Sequence, residues 1–306
     1  MIVVDEGSSP LVLCLPHCGT DAPPAVGKRF NATGRLQTDL SWRLDDVMRF
    51  GADLGATLIR STVSRYVIDL DRDPETPRSV AEDPKRALCP VTTLDGKRIY
   101  QDGEDPGDTE IEQRILLFSN PFFRAVRQQV DRLLRLHNKV ILIDCQSMRS
   151  HIKGVTDKGL PVVSIGSADG TSCDPDLRNL LVGSFKSQEG YTVGVDDHVK
   201  GGYLTRTFGR PEQGLHAMTL LIAQRAYLRH ESPPFEPDKS RVLRLRALME
   251  DSFSRVIDWA NMDGSAVPVT GSGVSEPADL PNGADSETNS SGGPSGQPFS
   301  MLQVAE

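Results

Sequence analysis

A mixed α/β sheet flanked by helices, built as a single domain with a disordered C-terminal tail, is the fold class the sequence predicts. Three observations carry it. Two short apolar runs, Leu11-Val12-Leu13-Cys14-Leu15 and Val140-Ile141-Leu142-Ile143, have the length and composition of strands buried on both faces. Stretches with apolar residues at helical spacing separate such runs, and this alternation folds into a mostly parallel or mixed sheet covered by helices. Beyond Met262 the chain is rich in Gly, Ser and Pro and nearly without large apolar residues, so it buries too little to offset the entropy of ordering it. The predicted units are residues 1–262 and a low-complexity tail, 263–306.

The elements follow in order. The first strand, 11–15, ends in Pro16-His17-Cys18-Gly19-Thr20. Residues 36–55 read as one helix, with Leu40, Leu44, Val47 and Met48 near helical spacing. Residues 58–63 and 66–70 read as strands. Residues 71–108, rich in Pro, Asp and Gly, read as a long excursion carrying function. A long helix is predicted over 110–137, with Glu110 and Glu112 at its start and Arg132, Arg135 and His137 near its end, a charge order that suits the helix dipole. It feeds a strand, 139–144, that ends in Cys145-Gln146-Ser147. Further strands are expected at 162–165 and 191–195. Residues 215–228 begin as strand and continue as helix, and 241–261 form a terminal amphipathic helix. There is no internal repeat.

Composition excludes some partners. Lys and Arg number 34 against 42 Asp and Glu, giving a net charge of -8, and no dense basic run exists. Nucleic acid and anionic membrane are therefore not expected as main partners. An acidic small molecule still is, where arginines converge. The oligomeric state is not legible. The five cysteines, Cys14, Cys18, Cys89, Cys145 and Cys173, are an odd number, and three lie on or beside apolar strands. With no leader segment and no long apolar span, a reduced, cytoplasmic protein is expected.

Polar groups at two strand ends on one sheet edge define the candidate site. The first end offers the His17 imidazole; the second offers Asp144 and the Gln146 amide. Arg65, Asp69, Asp71 and Arg72 form a dense charge cluster, read either as an internal ion-pair network or as an arginine clamp for carboxylates. Arg206 follows Gly201-Gly202, where the backbone can approach a ligand closely. Arg149, past the second strand end, is a weaker candidate. No His-Glu-x-x-His, Gly-x-Ser-x-Gly or nucleotide-binding glycine motif occurs in a suitable context.

Several segments together resemble the N-formylglutamate amidohydrolases (deformylases) of histidine breakdown. They are Pro16-His17-x-Gly19-Thr20, Ser64-Arg65-Tyr66-Val67-Ile68-Asp69-Leu70, Leu88-Cys89-Pro90 with Thr92-Thr93, Asp95-Gly96 with Ile99-Tyr100, Ala168-Asp169-Gly170 with Ser172-Cys173-Asp174, and Lys200-Gly201-Gly202-Tyr203-Leu204-Thr205-Arg206. The likeness runs from about Pro10 to Leu228, and its motifs are specific together and weak singly. It implies a zinc-carboxypeptidase-like (phosphorylase/hydrolase-like) fold and a metal-assisted hydrolysis of N-formyl-L-glutamate to formate and glutamate. It further implies zinc or another divalent metal on His17 with Asp39 or Asp45, and substrate carboxylates on Arg65, Arg72 and Arg206. Asp144 and Gln146 fall on the catalytic Asp-x-His-Ser segment, and here Gln146 replaces its histidine. Leu221 replaces the glutamate that resembles a proton shuttle, and Arg43, Phe123 and Thr207 stand where the family often has histidine. A glutamine is a poor zinc ligand, and a leucine moves no proton. Three readings stay open: a hydrolase of this kind with a degenerate metal site, a catalytically silent paralogue that binds an acidic acyl-amino acid as a sensor or partner subunit, and a hydrolase with altered substrate and a relocated metal site; a thiolate from Cys18 or Cys145 beside His17 is a chemically possible replacement ligand, and a protein without metal is the other cofactor reading.

Overall fold

In the computed structural model, which describes residues 1–75 and 87–262, the strands are β1 (Ile2–Asp5), β2 (Leu11–Leu15), β3 (Thr57–Ser61), β4 (Val140–Met148), β5 (Val163–Gly166), β6 (Val193–Val195) and β7 (Leu215–Ala223). They form one sheet of seven strands in the order β1-β3-β2-β4-β7-β5-β6. The four central strands, β3, β2, β4 and β7, run parallel. β1 lies antiparallel on β3, β5 lies antiparallel on β7, and β6 is parallel to β5. The sheet is therefore mixed, as the alternation predicts.

Helices complete the layers: α1 (Pro24–Gly27), α2 (Ala32–Leu36), α3 (Leu44–Met48), α4 (Asp108–Arg114), α5 (Asn120–Leu134), α6 (Pro175–Lys186), α7 (Tyr203–Phe208) and α8 (Lys239–Asn261). Side chains of β2, β4, β5 and β7 pack with α3, α6 and α8 in one core, through Leu13, Ile143, Leu181, Leu220, Met249 and Phe253 among others. Burial accounts for the unbroken apolar strands: every residue of β2 and β7 is buried.

Three expectations need correction. The predicted helix over 36–55 is broken into short pieces, because Gln37 (φ 48°) and Arg43 (φ 61°) are left-handed. Tertiary bonds hold that path: Gln224 Nε2 donates to the Leu40 carbonyl at 2.8 Å, and Ser41 Oγ both donates to and accepts from the Ser147 backbone. Residues 66–70 are not a strand. The Tyr66 and Val67 amides turn back onto Ser64, at 3.1 Å to Oγ and 2.9 Å to the carbonyl. The apolar run there reports burial, not pairing. The end of 215–228 makes only a single 3₁₀ turn, Gln224–Ala226. The long helix is present as α4 and α5, joined by a π turn at Ile115–Ser119. β1 went unread. The expected tail, 263–306, and part of the 71–108 excursion lie outside the described residues. No helix among the described residues is long and apolar enough to cross a membrane.

Candidate active site

Parallel strands place their C-terminal ends on one edge. That edge collects His17 beyond β2, the turn after β3, Asp144 and Gln146 on β4, and Thr219 on β7. In register, Cys14 pairs with Asp144, Asp144 with Thr219, and Gln146 with Leu221.

His17 is buried, and its Nε2 lies 2.8 Å from Asp69 Oδ1. Asp69 Oδ2 takes Arg65 Nε at 2.9 Å and faces Arg72 Nε at 3.5 Å. Both arginines reach it from the same turn, at i-4 and i+3. Burial alone would raise the Asp69 pKa, yet Arg65 first, then His17 and Arg72, hold it well below the usual carboxylate range. Asp69 is thus ionised and accepts, so the ring nitrogen that faces it, His17 Nε2, carries a hydrogen.

Beside this lies a second cluster. Gln146 Nε2 donates to Asp144 Oδ2 at 2.6 Å and to Asp71 Oδ2 at 2.9 Å. Thr219 Oγ1 donates to Asp144 Oδ2 at 3.2 Å, and the Leu204 amide donates to Asp71 Oδ1 at 3.0 Å. Asp144 Oδ1 is buried with no hydrogen-bond partner among the described residues. Among the described residues no arginine or lysine bonds either carboxylate there. Burial, and then the neighbouring Asp71, push Asp144 well above the ordinary range; desolvation, and then Asp69, raise Asp71. Burial and mutual repulsion thus favour the protonated form of this pair. The chain must be glycine at 202, because a Cβ there would fall 1.6 Å from Asp71 Oδ2.

The acidic residues expected on the metal are elsewhere engaged. Asp39 Oδ1 takes Arg149 at 2.8 Å, and its Oδ2 takes the Tyr66 hydroxyl at 2.9 Å and the Leu94 amide at 2.8 Å. Asp45 sits in the first turn of α3, beside Cys18. Among the described residues neither bonds the His17 side chain, which faces Asp69. Gln146 turns its donor side toward the carboxylates, so the NH₂ group sits where a cation between them would lie. Among the described residues no three His, Cys, Asp or Glu side chains converge as a metal would need. This donor set does not fit zinc, which takes imidazole, thiolate or carboxylate and no amide donor. Nor do the thiols repair it: burial raises Cys18 and Cys145 well above the usual thiol range, which disfavours thiolate.

The arginines separate as well. Arg65 is buried against Asp69, and Arg72 is about one-third exposed at the cluster's rim. Arg206 donates to the Gly201 carbonyl and lines a cleft of ≈ 660 Å³ with Lys200, Arg210 and Ser172, apart from Arg65 and Arg72. Leu221 packs with Leu160, Met148 and Val199. Sequence reasoning found His17 and the Arg65–Asp69–Arg72 cluster but did not name Asp69 or Asp71 as site residues. The Asp-x-Asp spacing after a buried run was the available signal.

A polar cluster at the carboxyl edge of parallel strands is where open α/β sheets build ligand and catalytic sites. Residues 9–228 match the family model of N-formylglutamate amidohydrolase. The chain is 32% identical over 254 residues to the N-formylglutamate deformylase of Pseudomonas aeruginosa, covering 83% of this chain and 95% of that one. The corresponding enzyme of Pseudomonas putida is 29% identical, with 83% and 94% covered. A crystal structure of N-formylglutamate amidohydrolase from Ralstonia eutropha shares the fold with a TM-score of 0.68 at 23% identity, over 85% of this chain and 98% of that one. The chain belongs to the N-formylglutamate amidohydrolase family.

Proposed function

We propose that this protein hydrolyses a linear amide, N-formyl-L-glutamate or a close acidic N-acyl amino acid, releasing the acid and the free amine. The observation that carries the reading is His17, buried at the strand edge and fixed by Asp69 at 2.8 Å, beside a partly exposed Arg72. Asp69 sets the tautomer, so the remaining ring nitrogen of His17 meets the water or the formyl group. Arg72 has its guanidinium at the rim, where a substrate carboxylate can pair with it. Arg65 acts through Asp69, keeping it charged and in place. Placement in histidine breakdown and in the cytoplasm follows from the family resemblance and belongs to this proposal. The test is formate release from N-formyl-L-glutamate by the purified protein, with acetyl- and other N-acyl glutamates alongside. Turnover is expected, and Arg72→Ala is expected to raise KM more than it lowers kcat. An inert preparation that is folded sinks the reading.

A second reading has its own support. The Gln146 NH₂ group is engaged by Asp71 and Asp144, and Leu221 offers no carboxyl. These features suit a silent paralogue that binds an acidic acyl-amino acid. Stabilisation by N-formyl-L-glutamate with no formate produced would favour it.

A further inference from the structure

Resting on the hydrolase reading, we propose that Asp71 is the carboxylate that takes a proton from the attacking water and passes it to the leaving amine. Position 221 supplies only leucine for that task. Leu221 pairs in register with Gln146, so the strand position that would hold a shuttle faces the same neighbourhood but is apolar.

Four observations single out Asp71. Its backbone amide donates to Asp69 Oδ1 at 3.0 Å, the same oxygen that holds His17 Nε2, which sets Asp71 beside the imidazole. Its carboxylate accepts one bond on each oxygen, from Gln146 and Leu204, and a carboxylate has about four acceptor positions, so lone pairs remain. Among the described residues no arginine or lysine bonds it, because Arg65 and Arg72 both pair with Asp69. It is only partly buried, whereas Asp144 is fully enclosed and cannot meet a substrate. The charged and titratable groups around it are Asp69 and Arg72 on its own turn, Cys14 and His17 on and beyond β2, and Asp144 on β4. Desolvation first, and then Asp69, raise its pKa above the ordinary carboxylate value, against the pull of His17, and a raised carboxylate is a stronger base.

The step balances. The water oxygen bonds to the formyl carbon while one water proton moves to Asp71. As the carbon–nitrogen bond breaks, that proton moves to the amine nitrogen. The formic acid so released then ionises, and its proton also ends on the amine. The products are formate and the ammonium form of glutamate, with Asp71 ionised again.

The experiment compares the parent with Asp71→Asn and Asp71→Ala in formate release across pH. Asp71→Asn is expected to lower kcat by about 10²–10⁴-fold, the usual worth of a positioned acid–base group, while KM changes far less and the acidic limb of the pH profile disappears. Added acetate is expected to restore part of the activity of Asp71→Ala, a result that a merely structural role would not give. It also keeps the test sharp should the asparagine, whose amide would face the Gln146 amide, fail to fold. An active parent with an active Asp71→Asn overturns this proposal alone. A folded but inert parent overturns it together with the hydrolase reading.

Discussion

The two halves of the strand-end cluster hold the same kind of group, a buried carboxylate, and their surroundings treat it in opposite ways. Asp69 is met by Arg65, Arg72 and His17, and its pKa is driven down. Asp144 and Asp71 are met by neutral donors, the Gln146 amide, the Thr219 hydroxyl and the Leu204 N–H, and by each other, and both pKa values are driven up. Compensated charge makes a fixed counter-ion. Uncompensated charge makes a pair that holds a proton at a pH where an ordinary carboxyl has lost it. One half of the edge is scaffolding for an imidazole; the other is poised for proton transfer.

The largest effect is expected from breaking the compensated half. Asp69→Ala leaves Arg65 buried without its partner, and removing one member of a buried pair costs about 3–5 kcal/mol. Urea denaturation would measure it. A loss below about 1 kcal/mol would mean that Arg65 finds water or another acceptor, and that the half is not built as a closed pair.

How much of this was legible in the sequence divides along the same line. Arg65, Asp69 and Arg72 lie within one turn, so their encounter is local and could be read as a cluster. His17 could be placed because a strand followed by proline fixes where it ends. The Gln146–Asp71 bond joins positions 75 apart, and Asp39 meets Arg149 across 110 residues. No local pattern encodes such pairs; they depend on how the turn after β3, the 201–204 segment and β4 pack. The same limit explains residues 66–70, where burial imitated a strand, and residues 37–43, whose path is set by bonds to Ser147 and Gln224. The buried strands themselves were legible, because a strand covered on both faces has no polar alternative.

The next effect comes from making the uncompensated half more like a metal site. Gln146→His with Leu221→Glu puts an imidazole and a carboxylate side by side in register. Zinc is expected to stabilise this double variant and not the parent, by about 2.7 kcal/mol at a hundred times its dissociation constant. Thermal unfolding with and without zinc reads this independently of catalysis. Equal stabilisation of the parent would show that the amide does not keep a cation out.

The smallest effect is the one that separates the halves most cleanly, because it has opposite signs in them. Asp69 has a depressed pKa, so its contribution is present above the unfolded value of about 3.9 and is lost as pH falls through the folded value. Asp144 has a raised pKa, so its contribution is complete below about 3.9 and is lost as pH rises through the folded value. At neutral pH the buried Asp144 carboxyl, next to Asp71, therefore weakens the fold. Asp144→Asn removes that ionisation and still offers an oxygen to Gln146 and Thr219. It is expected to raise stability near neutral pH by on the order of 1 kcal/mol, with the gain shrinking as pH is lowered toward 4. Denaturant midpoints of parent and variant from pH 4 to 8 would measure the two curves. Parallel curves would mean that Asp144 ionises freely where it stands, and the contrast between the halves would then be one of shape and not of charge.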